Sequence, residues 1–169
     1  HAHEYEDLAG ETAAQDVAML RLLLAVLHCT FSRVDENGEE NLLFDLEDDE
    51  LEDEVFRRWK ALYDRGHFPE EPIRDYLEQW RERFWLFHEE RPFWQATSAE
   101  AGTEYEVSKL NGEISESSNK LRLFSTRAGE GKKVLSNAEA ARWLLYLNGF
   151  DDTSAKPKKK GLPSPGAGW

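Results

Sequence analysis

The residues with the clearest chemical character are the cations of the C-terminal third. Residues 120–169 carry ten lysines and arginines against four acids, whereas the preceding 119 residues carry eleven against thirty. The two parts have net charges of +6 and −19, which sum to the chain's −13. A segregated positive charge points to a polyanionic partner on one side, or simply to an acidic helical body with a solvated basic tail. Two loops hold these cations beside glycines. One is Arg127-Ala128-Gly129-Glu130-Gly131-Lys132-Lys133, within 125–135. The other, 154–169, contains Lys158, Lys159, Lys160, Gly166 and Gly168. Lysine and arginine neutralise phosphate, the sequence-independent part of DNA affinity. Glycine lets backbone approach a ligand without a side chain in between. The helix expected between the loops, 137–148, is about 18 Å long at ~1.5 Å per residue. Both loops could therefore touch one duplex if the segments around that helix fold back. The competing reading is two surface loops that are basic by chance.

Other chemistry has less support. There is no Gly-x-Ser-x-Gly elbow, phosphate-binding loop, His-Glu-x-x-His or Cys–His pairing at a useful spacing. Gly166-x-Gly168 is too short, and follows no strand, for a dinucleotide fingerprint. His88 with Glu89 and Glu90 could serve as acid–base equipment, against the simpler role of a histidine whose charge suits a helix C-terminus. His1 and His3 lack companions at metal-ligand spacing, and no metal or cofactor is expected. The acid run Asp45–Glu54 lacks the Asp-x-Asp-x-Asp-Gly order of a calcium loop and reads as a helix start. The lone Cys29 can form no internal disulfide and reads as core. No uninterrupted apolar run reaches the ~20 residues of a membrane span. No N-terminal signal is evident, and the expected compartment is the cytoplasm.

These loops need a scaffold, and the pattern of apolar residues is helical. Thr12 with Gln15 opens a helix near 13–32, with Val17, Leu20, Leu24, Leu27 and Phe31 inward. A polar loop from Arg33 to Asn41 turns at Asn37-Gly38 and reads as weakly ordered. A second helix near 46–65 has an acidic start and Gly66 as its stop, with Leu51, Val55, Phe56, Trp59, Leu62 and Tyr63 as its buried stripe. Pro69 and Pro72 start a third, near 70–88, whose face is Ile73, Tyr76, Leu77, Trp80, Phe84 and Phe87. It runs into the corner Arg91-Pro92-Phe93-Trp94-Gln95, where proline ends the helix. Beyond it, 96–118 is polar except for Tyr105, Val107 and Leu110, and 120–124 alternates as a short strand would. Ser136 with Glu139 caps a last helix, 137–148, ending at Gly149. The fold class is α+β and predominantly helical, with at most a small sheet. Residues 1–150 form the helical body and 151–169 a basic, glycine-rich loop cut short by the end of the chain.

The order of these features resembles the N-terminal region of the large subunit, the CasA family, of the type I-E CRISPR surveillance complex Cascade. The resemblance is carried by Asp7-Leu8-Ala9-Gly10 leading into Val17–Ala25, and by Trp85-Leu86-Phe87-His88 through Arg91–Gln95. The third matching stretch is Leu135–Leu145, followed by the Lys/Pro/Gly segment ending Pro165-Gly166-Ala167-Gly168-Trp169. It implies a non-catalytic subunit that recognises the protospacer-adjacent motif in invading double-stranded DNA, promotes strand separation and helps recruit a helicase–nuclease. The implied partners are target DNA, other Cascade subunits, guide RNA and that nuclease, with no membrane. Gly166 and Gly168 are similar to part of the family's glycine loop. Phe124 and Thr126 are similar to the start of the loop, reaching to Ser136, that contacts DNA or the guide-bearing part of the complex. The family's lysine finger, glutamine wedge, first strand and C-terminal helical bundle are expected outside this chain. The DNA-binding set is then Phe124, Thr126, Arg127, Lys132, Lys133, Lys158, Lys159, Lys160, Gly166 and Gly168. The alternative is a protein–protein adaptor that docks through Phe93 and Trp94.

Overall fold

A computed structural model of the chain describes residues 6–96, 104, 106–113 and 125–150. Its helices are α1 (Ala13–Phe31), α2 (Asp48–Arg65), α3 (Glu70–Gln79), the single-turn α4 (Val107–Leu110) and α5 (Asn137–Phe150). Short 3-10 turns lie at Leu43–Asp45, Arg81–Phe84 and Gly129–Lys132. No strand occurs among the described residues, where β pairing is limited to an antiparallel bridge between Val34 and Glu40. The fold is predominantly helical. The strand expected at 120–124 lies outside the described residues. Two compact units divide the chain, His1–Leu20 with Arg83–Trp169, and Arg21–Glu82.

The unit Arg21–Glu82 is built around Arg58, whose side chain is 0% exposed. Its Nη1 donates to three backbone carbonyls, Phe31 O (2.7 Å), Val34 O (2.8 Å) and Asn41 O (3.1 Å). Its Nη2 and Nε donate to Glu54 Oε1 at 2.7 and 3.2 Å. One guanidinium thus caps the open C-terminal end of α1 and ties down both arms of the following loop. That loop is further fixed by Asp35, whose Oδ1 accepts the backbone N–H groups of Asn37 and Glu39. The expectation of a weakly ordered 33–41 loop is therefore corrected. Arg58 was absent from the expected stripe of α2, and two of that stripe's aromatics face solvent, Phe56 (72% exposed) and Tyr63 (83%). Leu62 is buried as expected. Trp59 closes a ring cluster with His28 (4.8 Å between centroids), Phe31 (6.1 Å) and Phe68 (6.4 Å). Gly66, at φ 76°, ends α2 in the left-handed conformation open to glycine.

On α1 the expected inner face is displaced. Gln15, Ala18, Thr30 and Phe31 are buried, while Val17, Leu20, Leu23 and Leu24 are about half exposed. By length and composition alone α1 could also cross a membrane, although no continuous apolar run marks it out. The third helix ends at Gln79, well short of 88. The Trp80 N–H is shared between the Tyr76 and Glu78 carbonyls, and the chain tightens into the 3-10 turn Arg81–Phe84. Helix α5 runs through Gly149 to Phe150, one residue past the expected stop.

Two outcomes are expected. Arg58→Ala removes one of the two arginines on Glu54 and strands three carbonyls, so urea unfolding should show a loss of about 3–5 kcal/mol; a loss under ~1 kcal/mol would refute the clip. The second concerns acid. Arg57, bonded to Glu54 Oε2 at 2.7 Å and to Glu36 Oε1 at 2.7 Å, holds the Glu54 carboxyl down to about 2, with Arg58 adding to the effect. A carboxylate whose folded pKa lies below its unfolded value stabilises the fold above the unfolded value and loses that contribution as pH falls through the folded one. Thermal midpoints should therefore decline from about pH 4.5 toward pH 2, and Glu54→Gln should flatten the decline.

Candidate nucleic-acid interface

The loop between Ser125 and Ser136 belongs to the unit His1–Leu20 with Arg83–Trp169. It is pinned from several sides. Ser125 Oγ accepts the Arg127 N–H at 2.9 Å, a tight local turn. The Arg127 guanidinium turns back into the protein. Its Nε donates to Glu11 Oε2 (2.7 Å), and its Nη2 donates to Glu11 Oε1 and to Glu139 Oε1 (2.8 Å). Its Nη1 donates to the Gly131 carbonyl within the loop itself (2.9 Å).

Each of these carboxylates is positioned by its own element. Glu11 sits on a segment folded against the start of α1. There the Gly10 N–H donates to Asp16 Oδ1 (2.7 Å), the Glu11 N–H to Gln15 Oε1 (3.0 Å) and the Gln15 N–H to Thr12 Oγ1 (3.3 Å). The Thr12 cap forms as expected, but Gln15 reaches Glu11 rather than Thr12. Glu11 Oε1 also accepts Trp143 Nε1–H at 2.9 Å, joining α5 to the same carboxylate. Arg127 keeps the Glu11 carboxyl below its usual range. Glu139 completes the expected capping box of α5: its Oε2 accepts the Ser136 N–H and hydroxyl at 2.7 Å each, and its N–H reaches Ser136 Oγ at 3.3 Å. Those bonds, with Arg127, bring its carboxyl to about 2.

The far side of the loop rests on α4 and the turn after it. Gly112, at φ 69°, lets the chain reverse beside the Trp143 ring. Asn111, fully buried, accepts the Glu113 N–H on Oδ1 (3.2 Å) and donates from Nδ2 to the Lys132 carbonyl (3.0 Å). Glu113, also buried, takes the Ser125 hydroxyl and pairs with Lys132 Nζ at 3.1 Å. Sequence reasoning passed over Asn111, Glu113 and Glu11. The dipeptide Asn111-Gly112 is a turn signal that could have marked the first two; the role of Glu11 depends on a contact 116 residues away.

Of the expected DNA-binding set, Thr126 and Lys133 are exposed on this loop, Lys132 is half-buried, and Arg127 is engaged inside the fold. Phe124, Lys158, Lys159, Lys160, Gly166 and Gly168 lie outside the described residues. The Lys133 side chain makes no ion pair among the described residues.

The aromatic corner has a different character from the one expected. Phe93 is buried against Phe84 (5.8 Å between stacked rings), and its N–H donates to the Trp85 carbonyl (2.8 Å). Trp94 is about half exposed and takes φ 57°, rare for a residue with a side chain. Gln95 Nε2 reaches back to the Leu86 carbonyl (2.7 Å). His88 follows no helix, contrary to expectation. Its Nδ1 accepts the N–H groups of Glu90 and Arg91, both at 3.1 Å. The ring therefore shapes the turn by accepting two backbone N–H groups, and it does not sit on a helix end. No group of three or more His, Cys, Asp or Glu suited to a metal occurs among the described residues.

Comparison with known proteins agrees with the sequence resemblance. The profile for CRISPR-associated protein Cse1 matches residues 1–169. CRISPR-associated protein CasA/Cse1 of Thermus thermophilus is 33% identical over 149 residues, covering 88% of this chain. The chain spans 26% of that relative's length. The crystal structure of CasA from Thermus thermophilus is 30% identical, with a TM-score of 0.47 over 83% of this chain and 22% of the other. With the whole of its length matched by that profile, the chain belongs to the Cse1 (CasA) family of CRISPR-associated proteins.

Proposed function

We propose that this chain is part of a non-catalytic DNA-recognition subunit in a type I-E CRISPR RNA-guided surveillance complex of the cytoplasm. In this reading the subunit recognises the protospacer-adjacent motif in invading double-stranded DNA, promotes strand separation and helps recruit a helicase–nuclease. Its partners are the target duplex, the other Cascade subunits and the guide RNA, and it needs no membrane. The observation that carries the reading is the Ser125–Ser136 loop, clamped by Arg127 and Asn111 while Lys133 stays exposed. A loop ordered before binding loses little entropy when it meets its ligand. A lysine on it neutralises phosphate and fixes register without reading bases. Motif choice then falls to Gly166 and Gly168, where an absent side chain permits close approach. The adaptor alternative narrows to Trp94, because Phe93 is committed to the interior.

The test uses the full-length subunit in the assembled complex, carrying Gly166→Asp. A carboxylate at that point should lower the preference for motif-bearing over motif-free duplex by about tenfold or more, a discrimination of roughly 1–3 kcal/mol. Unchanged preference would remove the glycine assignment. If Trp94→Ala instead abolished assembly of a folded subunit while the Gly166 variant behaved normally, the adaptor reading would replace it.

A further inference from the structure

We infer that the adjacent lysines of this loop have separate duties: Lys133 meets a nucleic-acid phosphodiester, while Lys132 is a strut, with Glu113 and Asn111 as positioning residues. The inference rests on the proposed nucleic-acid role of the loop and specifies which of its cations makes the contact. Three observations separate the two side chains.

First, Lys132 Nζ is paired at 3.1 Å with a carboxylate whose side chain is only 6% exposed. Turning Lys132 outward to a phosphate would give up an ion pair to a buried carboxylate, a costly exchange. Second, the same carboxylate receives the Ser125 hydroxyl, so the pair spans the loop from its first residue to its eighth. Third, the Lys132 carbonyl is gripped by Asn111 Nδ2 at 3.0 Å, and the Lys133 N–H closes on the Glu130 carbonyl at 2.9 Å. Both bonds hold the peptide that precedes Lys133, and the Val134 N–H, which donates to the same Glu130 carbonyl at 3.1 Å, holds the peptide that follows, while the Lys133 side chain is exposed. Arg127 is removed from consideration by the same logic, since two carboxylates already hold it.

The phosphodiester could belong to the target duplex or to the guide RNA, and the experiment separates these. The full-length subunit is assembled into the guide-loaded complex, and duplex affinity is measured across a salt series. Lys133→Ala should reduce the slope of log affinity against log salt by about 0.9 if the phosphate is in duplex DNA. If the phosphate is in the guide, the reduction, about 0.7 for a single strand, appears instead in the salt dependence of subunit joining before any target is added. Lys132→Ala should weaken binding at every salt concentration with the slope retained. Glu113→Gln, which keeps an acceptor for Ser125 but releases the Lys132 ammonium, should not lower the slope. A loss of slope in Lys132→Ala equal to that in Lys133→Ala would overturn the division. So would unaltered slopes in both arms for Lys133→Ala, whose exposed side chain makes no ion pair among the described residues that folding could miss. If Lys133→Ala were silent while Gly166→Asp still lost motif preference, only this division would fall. If Gly166→Asp and Lys133→Glu both behaved as the unmodified subunit, the DNA-recognition reading itself would fall.

Discussion

A guanidinium taken out of water must find both its hydrogen-bond acceptors and its countercharge in the protein, and that requirement organises the loop-bearing unit. Arg127 meets it with Glu11, Glu139 and the Gly131 carbonyl, and so joins the segment before α1, the 125–136 loop and the cap of α5. Removing any one partner leaves the others with a charge they were not arranged to hold. The unit Arg21–Glu82 solves the same problem through Arg58, which takes carbonyls as most of its acceptors and Glu54 as its countercharge. In a chain with thirty-four acids, arginine is well suited to this work. Its planar fork reaches several acceptors at once, where an ammonium would act as a point charge.

The proposed function follows from what that arrangement leaves over. Arg127 and Lys132 direct their charge at internal carboxylates, and the remaining lysine of the pair, Lys133, sits on backbone that cannot drift. Such a division converts a flexible basic loop, which any polyanion could engage, into one that offers positive charge at a defined place. The corner before it is shaped by the same need for acceptors. His88 uses a ring nitrogen to satisfy two backbone donors where Pro92 interrupts regular structure.

How much of this was legible depended on range. Features decided within a few residues could be read directly. The Ser136/Glu139 box, the glycine stop at Gly66 and the acid-rich start of α2 all stand where their local chemistry puts them. Features decided by distant partners could not. Ranking residues by hydropathy placed Phe56 and Tyr63 inside and left Arg58 out, because nothing local announces that three carbonyls converge on α2. The apolar spacing of Trp80, Phe84 and Phe87 imitated a continuing helix, although the backbone tightens at Trp80. At the site, the basic character of 127–133 was plain from composition. The distinction among Arg127, Lys132 and Lys133 was not, because it is made by Glu11 and Glu113, neither of which carries a motif.

The half-exposed aliphatics of α1, Val17, Leu20, Leu23 and Leu24, have a colloidal consequence. At neutral pH the surplus of thirteen negative charges keeps copies of the chain apart, despite a greasy strip on each. That repulsion vanishes near the isoelectric point of about 4.8, whereas Glu54 keeps its proton off until about 2. Mild acidification therefore removes the charge that opposes contact along α1 while the Glu54 ion pair is still in place. Turbidity in a weakly acidic buffer would report self-association of native molecules and not their unfolding.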